Sequence, residues 1–365
     1  MKFQYKPVYL LFVSVLLTSL LLTACQPAAA PAPTAQPAPV EVQPTDAPAA
    51  PAAPAATEAP TAEPVVELSP VRYGGQLYPE EYLLKGAPAL FSDAGLQVEH
   101  TLFSSATEGN QALISGAVDI NVASDSKTVA LFSAMPDQVV IIGVVQRGDR
   151  YSTLVRPDSS YTSWYDLKGK QVGIRMGTGA EQVVRRYFEK VGDLKWEDFQ
   201  WVNLKVEDSI AALTSGSIEA FTAWEPTPAI AEAQGAGKVM MSYGDIALTP
   251  VLLNTTVKYA ESHRAEIVHF LAAHLAKAEM IKSDPKKSAE LAAQAASAQG
   301  ATVDPAAFEK IFTRVDFSLD LDETVIAALQ DTANFLVSTG EIKEVPTLKW
   351  DASYLEEARK LVEGK

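Results

Sequence analysis

The sequence has one cysteine and four histidines among its 365 residues. A single cysteine cannot form an internal disulfide, and the cysteine pairs that typify zinc sites are missing. Basic residues are few as well, since 30 Lys and Arg stand against 45 Asp and Glu and give a formal net charge of -15. Nucleic-acid binding needs a basic footprint, so this charge argues against that function, although a few local donors could still hold a small anion.

Motifs of the common catalytic classes are absent too. The sequence contains no Walker A motif, no G-x-S-x-G elbow and no zinc-hydrolase spacing of histidines. The histidines are His100, His263, His269 and His274, and the last two are five positions apart, which places them on different faces of a helix. We therefore expect a protein that is not an enzyme, with no catalytic residue, no metal and no cofactor.

Residues 1–24 have the features of an export signal. Lys2 and Lys6 precede an apolar run over residues 8–22, which is shorter than the roughly 20 residues needed to span a bilayer. The run ends with small residues before Cys25 and resembles a bacterial lipoprotein signal. That resemblance implies cleavage after residue 24, a lipid on the sulfur of Cys25, and anchoring to the outer face of the cytoplasmic membrane. An ordinary secretory signal followed by an unrelated cysteine is the alternative.

Residues 25–68 are predicted to form a disordered tether. From residue 26 to residue 68 the sequence is dominated by Ala, Pro, Thr and Glu, and it contains no Lys, Arg or aromatic residue. Such a segment has too little to bury to offset the entropy that ordering would cost. Its prolines favour an extended, semi-rigid chain that holds the rest of the protein away from a membrane surface.

Residues 69–365 are numerous enough for two lobes rather than one core. Strand-like and helical patterns alternate through the first two thirds of this body, which favours doubly wound, mainly parallel sheets. Strands are predicted at 71–76, 97–103, 118–124, 138–146, 152–156, 171–176, 199–205, 218–224, 238–242 and 248–255. Helices are predicted at 108–115, 126–134, 180–191, 206–215 and 227–235, and then in a helical C-terminal extension at 261–283, 285–299, 304–312, 321–338 and 354–363.

One helix-to-strand transition occurs twice. Residues 112–119 read ALISGAVD, and residues 212–219 read ALTSGSIE. In both copies an apolar helical stretch stops at Ser-Gly, and Gly116 and Gly216 suit the left-handed conformation that closes a helix. Two copies of one unit predict two similar α/β lobes, which usually hold a ligand between them. Chance recurrence of a common helix exit is the alternative.

Four stretches in this order resemble the solute-binding proteins of bacterial ABC importers, in the nitrate, sulfonate and taurine group that also includes thiamine-precursor binders. The stretches are GLQVE at 95–99, QALISGAVDI at 111–120, DLKGKQVGIRMGTGA at 166–180, and the second repeat continued to AWEP at 223–226. The resemblance implies a two-lobed periplasmic-binding-protein-like (type II) fold, in which each lobe is a mainly parallel sheet flanked by helices. Lobe one would comprise residues 69–160 and 247–365 and lobe two residues 161–245, with a hinge of two crossing strands and the ligand in the cleft.

In open α/β sheets a ligand binds beyond the carboxyl ends of the strands. After the first predicted strand, two glycines precede Gln76 and Tyr78, which could hydrogen-bond or stack on a ligand, although a plain turn is the alternative. After the third, Ser124, Asp125 and Ser126 open a helix. They could cap its free amides or bind a ligand, and Asp125 suits an anion only if it points away or meets a ligand amine.

The favoured ligand-binding turn is Gly177-Thr178-Gly179-Ala180, which follows the sixth predicted strand and opens a helix. Its amide donors, the positive end of the helix dipole and a hydroxyl would fit a sulfonate, a carboxylate or nitrate. The turn is not a dinucleotide fingerprint, because Gln182 stands where the third glycine would be. A helix cap without a ligand is the alternative.

Trp224 and Glu225 follow the strand of the second repeat. Trp224 could stack on a flat ligand or pack against an alkyl chain, and a core tryptophan is the alternative. Arg147 and Tyr151 flank a predicted strand exit near the hinge, and Arg175 lies just before the glycine turn. Any of these three could pair with an anion, although a solvated surface arginine is at least as common.

These features predict a lipid-anchored, monomeric receptor that captures a small solute outside the cytoplasmic membrane by lobe closure and presents it to an ABC permease. The permease and its ATPase would be separate chains, and no nucleic-acid partner is expected. The glycine turn favours a small anionic solute such as a sulfonate, nitrate or taurine. The alternatives are a heterocyclic vitamin precursor of the pyrimidine or flavin type, favoured by the aromatic residues, and a tethered sensor lobe without a permease. The similar pyrimidine-precursor synthases use a cysteine-rich motif, which one cysteine cannot supply.

Overall fold

The computed structural model describes residues 68–364. The predicted signal peptide, Cys25 and the predicted tether as far as residue 67 lie outside the described residues and stay predictions. Among residues 68–364, none of the helices combines the length and the apolar character that crossing a membrane would require.

The described residues form ten strands in two sheets, with helices between and after them. The strands are β1 (Val71–Gln76), β2 (Val98–Phe103), β3 (Ile120–Ser124), β4 (Val139–Gln146), β5 (Tyr151–Val155), β6 (Gln171–Ile174), β7 (Gln200–Asn203), β8 (Ala220–Trp224), β9 (Lys238–Ser242) and β10 (Val251–Thr256). The helices are α1 (Pro79–Gly86), α2 (Ala89–Asp93), α3 (Ala106–Ile114), α4 (Asp125–Ala134), α5 (Gly179–Val191), α6 (Ser209–Thr214), α7 (Thr227–Ala233), α8 (Val257–Ser262), α9 (Arg264–Ser283), α10 (Pro285–Ala298), α11 (Pro305–Arg314), α12 (Glu323–Ser338) and α13 (Ser353–Glu363).

The two sheets have the same strand order. The first is β2-β1-β3-β10-β4 and the second is β7-β6-β8-β5-β9. In the first sheet β1 pairs in parallel with β2 and β3, while β10 runs antiparallel to β3 and β4. In the second, β6 pairs in parallel with β7 and β8, while β5 runs antiparallel to β8 and β9. In each sheet one strand alone, β10 in the first and β5 in the second, runs against the others, so the predicted pair of mainly parallel sheets is confirmed.

The two copies of the sequence repeat occupy equivalent places in the two sheets. Residues 112–119 lead from α3 into β3, and residues 212–219 lead from α6 into β8. Gly116 and Gly216 adopt φ angles of 72° and 73°, the left-handed region that favours glycine. In both copies the residue after the glycine donates its backbone N–H to the alanine that begins the repeat. The predicted glycine-terminated helix exit is therefore confirmed at both positions.

Each sheet is covered by helices on both faces. On one face of the first sheet Tyr73 packs in a cluster with Phe270 of α9, and on the other face Leu252 packs in a cluster with Phe132 of α4 and Leu329 of α12. The second sheet is covered by one cluster around Trp164 and Phe188 and by another around Leu213 and Phe221. Fully burying one such side chain stabilises the fold by about 1.5–3 kcal/mol, so these clusters fix the sheets that carry the site.

The chain crosses between the sheets twice. It passes from β4 to β5 over residues 147–150 and returns from β9 to β10 over residues 243–250. The crossings are bonded to each other, because Gly148 N donates to Leu248 O at 2.7 Å and Gly244 N donates to Asp149 Oδ1 at 3.2 Å. Ser124 pairs with Val251 and Trp224 pairs with Tyr151, so the carboxyl ends of β3 and β8 both lie beside the crossings.

Strand β5 belongs to the second sheet, whereas the sequence analysis assigned residues up to 160 to lobe one. Its register with β8 runs from Tyr151 opposite Trp224 to Val155 opposite Ala220. The sequence could not show this, because a strand is assigned to a sheet by its partner and not by its position in the chain. The first crossing therefore lies at residues 147–150, ahead of the predicted boundary.

The short helices α1 and α2, between β1 and β2, were not predicted. Helix α1 begins at Pro79 and buries Glu80 and Glu81, although acidic residues in a sequence usually indicate solvent exposure.

The single helix predicted at 261–283 is in fact the end of α8 followed by α9. It is divided at His263, whose φ of -131° is not helical.

Candidate functional site

Arg150 lies where the carboxyl ends of strands from both sheets meet. It ends the first crossing, directly precedes β5, and is only 1% exposed. The ring of Tyr78, which follows β1 of the first sheet, has its centroid 6.0 Å from the guanidinium carbon of Arg150. The ring of Tyr151, in the second sheet, lies 4.7 Å from the same carbon. One buried cation therefore contacts aromatic residues from both sheets.

The guanidinium of Arg150 has more donors than partners. Its Nε donates to the backbone oxygen of Thr249 at 2.8 Å, and its Nη2 donates to the hydroxyl of Tyr151 at 3.2 Å. Its Nη1 is buried and makes no hydrogen bond of good geometry among residues 68–364, although the hydroxyl of Tyr78 is close enough to interact with the guanidinium. No carboxylate of the described residues forms an ion pair with Arg150 within 4.0 Å. Buried charges are normally paired, so this arrangement suits an anion supplied from outside the chain.

Asp125 opens helix α4 beside this cation and is 1% exposed. The backbone N–H of Ser126 donates to its Oδ1 at 2.8 Å, and the hydroxyl of Thr332 donates to its Oδ2 at 2.9 Å. Burial raises the pKa of Asp125, and the positive charge of Arg150 opposes that rise. The hydroxyls of Ser124 and Ser126 lie 3.3 Å apart. The predicted residues 124–126 thus lie at the end of β3 with their acid within electrostatic reach of Arg150.

Trp224 adds a third aromatic ring to those of Tyr78 and Tyr151, on the side of the second sheet. Its ring centroid lies 6.3 Å from that of Tyr151 at an interplanar angle of 68°, and its side chain packs against apolar clusters of both sheets. Gln76 ends β1, two positions before Tyr78, and its buried Oε1 has no partner among the described residues. The structure therefore places Tyr78 and Trp224 around Arg150, with an unsatisfied acceptor at the adjoining strand end.

The predicted anion-binding turn already uses several of its donors within the chain. Thr178 is the N-cap of α5, because its hydroxyl accepts from Ala180 N at 3.3 Å. The same hydroxyl donates to the backbone oxygen of Arg175 at 2.7 Å. The N–H of Gly177 donates to Oε2 of Glu181 at 2.9 Å. The predicted alternative of a helix cap thus describes Thr178 well.

The two glycines of this turn allow close approaches by other side chains. A Cβ atom on Gly177 would lie 2.6 Å from Oε1 of Glu341, and one on Gly179 would lie 2.3 Å from the hydroxyl oxygen of Tyr151. A carboxylate against the turn disfavours an anion there, whereas Gly179 brings the start of α5 against Tyr151. The geometry thus favours Arg150 over the glycine turn as the anion-binding group, with the positive end of α5 close by.

Two of the three charged candidates from the sequence have other partners, and the third is exposed. The carboxylate of Glu225 forms an ion pair with Arg314 and accepts from a backbone N–H of α7, and burial raises the pKa of Glu225 to about 7. Arg147 forms ion pairs with Asp316 at 2.8 Å and with Asp322 at 2.9 Å. Arg175 is exposed. Arg150 was not among the predicted residues, although Arg147 and Tyr151 on either side of it were. No local pattern in the sequence distinguishes it, because the crossings decide which arginine is buried.

Two cavities lie elsewhere on the described part of the chain. One of about 500 Å³ is lined by residues that include Lys85, Phe91 and His100. The other, of about 430 Å³, is lined by residues that include Trp350 and Tyr354. None of the residues around Arg150 lines either cavity, so they are separate alternative locations for a small molecule.

The sequence matches known proteins over its central part. The model of the family described as NMT1/THI5 like matches residues 88–288. A putative aliphatic sulfonates-binding protein of Escherichia coli strain K12 is 27% identical over 185 residues, which are 50% of this chain and 57% of that protein. A putative aliphatic sulfonates-binding protein of Bacillus subtilis strain 168 is 23% identical over 211 residues, 56% of this chain and 63% of that protein. The chain thus spans about half the length of the curated relatives it matches.

Solved structures resemble the fold over most of their length. The periplasmic aliphatic sulphonate binding protein SsuA from Escherichia coli superposes with a TM-score of 0.67 at 23% identity, covering 76% of this chain and 94% of that one. The alkanesulfonate-binding protein SsuA from Xanthomonas axonopodis pv. citri, bound to MOPS, has a TM-score of 0.65 at 21% identity, covering 78% and 96%. At these identities the likeness establishes the fold, and the family model covers more than half of the sequence. The chain therefore belongs to the NMT1/THI5-like family and has the two-sheet fold of periplasmic solute-binding proteins.

Proposed function

We propose that this protein is the solute-binding protein of an ABC importer and that it captures a small solute with an anionic group between two lobes. Lobe one consists of the first sheet with α1–α4 and α8–α13, and lobe two consists of the second sheet with α5–α7. The observation that carries the proposal is Arg150, a buried guanidinium between the sheets with a free Nη1 and no ion-pair partner among the described residues.

The anion-binding role follows from the cost of burying that charge. An unpaired buried charge is strongly unfavourable, so the arginine requires a counter-ion whenever the lobes enclose it. A sulfonate or carboxylate can accept two parallel N–H bonds from a guanidinium, and such charge-assisted bonds are about twice as strong as neutral ones. The N-terminus of α5 adds a partial positive charge near the same point, because Gly179 lies against Tyr151. Sulfonates are the favoured class, since the matched relatives are named for binding them.

Asp125 restricts which anions suit the site. Its carboxyl group is buried within electrostatic reach of Arg150, so it offsets part of the positive charge that an anion would meet. A solute that also carries an N–H donor would satisfy both groups. Within the sulfonate, nitrate and taurine group, this charge balance favours a taurine-like solute over a simple inorganic anion.

A flat heterocyclic solute is the second candidate. Tyr78, Tyr151 and Trp224 place three aromatic rings near the guanidinium. Aromatic walls with a few convergent polar groups are typical of small-molecule sites and would suit a pyrimidine or flavin precursor. In that case Arg150 would bind a ring oxygen or a phosphate rather than a sulfonate.

The mechanism of capture is closure about the two crossings. Ligand contacts made by both lobes stabilise the closed state relative to the open one, and no covalent step is needed. The partners would be a separate permease and ATPase, and the lipid on Cys25 would anchor a monomeric receptor outside the cytoplasmic membrane. A sensor role without a permease uses the same binding step.

A thermal-melt panel of alkanesulfonates, taurine, nitrate, bicarbonate, thiamine precursors and riboflavin tests the proposal. A solute at 100 times its Kd stabilises the folded protein by about 2.7 kcal/mol, which raises the Tm by several degrees if melting is close to two-state. We expect the largest shift with a sulfonate that carries an amine. A panel in which only riboflavin or a thiamine precursor raises the Tm would favour the second candidate, and a flat panel would contradict both.

A further inference from the structure

Helix α12 packs on lobe one but also contacts lobe two. Its apolar stripe of Val325, Leu329, Ala333 and Leu336 belongs to the cluster that covers the first sheet. Thr332 lies next to this stripe, is fully buried, and is a polar residue on the core-facing side of the helix. A buried hydroxyl at such a position needs hydrogen-bond partners, and both of its partners lie outside α12.

The hydroxyl of Thr332 connects the two lobes. It accepts a hydrogen bond from Nε2 of Gln182, on α5 of lobe two, at 2.8 Å. It also donates to Oδ2 of Asp125, on α4 of lobe one, at 2.9 Å. The side chains of all three residues are buried, and one hydroxyl can accept and donate at once. The chain of bonds therefore runs from lobe two through α12 to the acid beside Arg150.

Further contacts join the same two parts of the molecule. Nη2 of Arg186, one turn after Gln182 on α5, lies 2.6 Å from Oδ2 of Asp331, the residue before Thr332. Gly177, just before α5, approaches the carboxylate of Glu341, which follows α12. Asp331 is largely exposed, so its ion pair contributes little by itself, but it shows that the contact extends from the buried hydroxyl to the surface.

The contact of α12 with α5 differs from the contact of α7 with α11, which also joins the two lobes. Helix α7 of lobe two packs against α11, and there Arg314 of α11 lies 3.6 Å from Asp149 as well as against Glu225. Asp149 belongs to the first crossing, so that contact adjoins the hinge and can persist when the lobes rotate. The contact of α12 with α5 includes no residue of either crossing, and opening would break it.

We propose that α12 is a clasp that holds the closed state, and that Thr332 is the positioning residue that couples the clasp to the ligand-facing Asp125. Closure gives Gln182 its partner on Thr332, and the same hydroxyl fixes the orientation of the Asp125 carboxyl group. Ligand binding at Asp125 and closure at α5 thus share one residue. The proposal rests on the proposed function, because it places Asp125 at the ligand.

The test compares Thr332→Val with Thr332→Ser and Gln182→Met in the full-length protein. Valine keeps the shape and removes the hydroxyl, serine keeps the hydroxyl, and methionine removes only the amide of Gln182. Thr339→Val, at an exposed threonine at the end of the same helix, is the matched control. Calorimetric titration with the strongest ligand of the panel gives the Kd, and small-angle X-ray scattering with and without that ligand reports closure.

We expect Thr332→Val and Gln182→Met each to raise the Kd about tenfold and to reduce the ligand-induced compaction. The double variant should be no worse than Thr332→Val alone, because that change already removes the bond from Gln182 as well as the bond to Asp125. Thr332→Ser and Thr339→Val should stay within twofold of the parent. Additive losses, or a Thr332→Val protein with a lower Tm but unchanged Kd and compaction, would overturn the clasp and leave only a structural role.

The clasp can be tested even if the proposed function fails. If no solute of the panel binds, the proposed function fails, and the clasp is then tested by thermal melts of the same four single variants and the double variant without ligand. Non-additive losses of Tm for Thr332→Val and Gln182→Met would support the link between α12 and α5. Additive or absent losses would overturn it.

Discussion

Replacing Arg150 with methionine should abolish most ligand binding. The free Nη1 carries two N–H donors, and a hydrogen bond to a charged group contributes about 1.5–3 kcal/mol. Two such bonds contribute at least about 3 kcal/mol, which corresponds to a rise in Kd of at least about 100-fold. Arg150→Lys should fall between this variant and the parent, because lysine keeps the charge but loses the planar fork and the bond from Nε to Thr249. Calorimetric titration with the strongest ligand of the panel measures both.

Arg147 provides the matched control for this experiment. It lies three positions earlier in the same part of the chain, but its guanidinium is held by Asp316 and Asp322. Arg147→Met should therefore change the Kd by less than about twofold, since each nitrogen of its guanidinium already bonds within the chain and leaves no donor group for a ligand. Binding by Arg150→Met within threefold of the parent, or an equal loss in both variants, would refute the assignment of Arg150.

Four further variants test other parts of the geometry. Trp224→Ala should weaken a ring-containing ligand about two- to tenfold in titrations, because an aromatic pair adds about 0.5–1.5 kcal/mol beyond its buried area. Thr178→Ala should mainly lower stability, by about 1 kcal/mol, through loss of the α5 cap. Gly179→Ala should weaken every ligand, because its Cβ would lie 2.3 Å from the hydroxyl of Tyr151 and displace the start of α5. Glu80→Gln should flatten the pH dependence of unfolding by denaturant. Burial raises the pKa of Glu80 to about 8, and the charge of the buried Lys277 opposes that rise. Between about pH 4.5 and 8 the folded state therefore holds a proton that the unfolded state has lost, so stability falls as pH rises.

Each of these predictions has a contrary result. A Trp224→Ala protein that binds rings normally, or a Thr178→Ala protein that loses anion binding at unchanged stability, would restore the glycine turn as the anion site. Unchanged affinity in Gly179→Ala would mean that the start of α5 does not adjoin the ligand. For Glu80→Gln, a pH profile parallel to that of the parent would contradict the raised pKa of Glu80. Glu356→Gln, at an exposed position of α13, is the control and should show such a parallel profile.

The architecture was predictable because its signals are local. Each copy of the repeat carries a glycine whose left-handed conformation ends a helix and starts a central strand, and this requirement acts within a few residues. The assignment of β5 to the second sheet was not predictable, because it depends on pairing with β8, far along the chain. Helix α1 was missed because the buried Glu81 depends on Tyr73 and His100, which come from other strands.

The site was only partly predictable for the same reason. Tyr78, Asp125 and Trp224 were predicted as ligand-binding residues because they end or follow strands, and the rule that ligands bind at strand ends needs no partner information. Sequence gives no sign of which of Arg147 and Arg150 is buried, since the crossings decide that. Thr332 lies far from Asp125 in the sequence, and only the packing of α12 brings its hydroxyl to the acid.

The most direct measurement is a crystal structure of the protein grown with the strongest ligand of the thermal-melt panel. We expect the ligand to lie between the two sheets, with an anionic oxygen within about 3 Å of Nη1 of Arg150 and with Tyr78 and Trp224 against its remaining surface. A ligand bound in the cavity beside Phe91, in the cavity beside Trp350, or at the glycine turn without a bond to Arg150 would contradict the central claim.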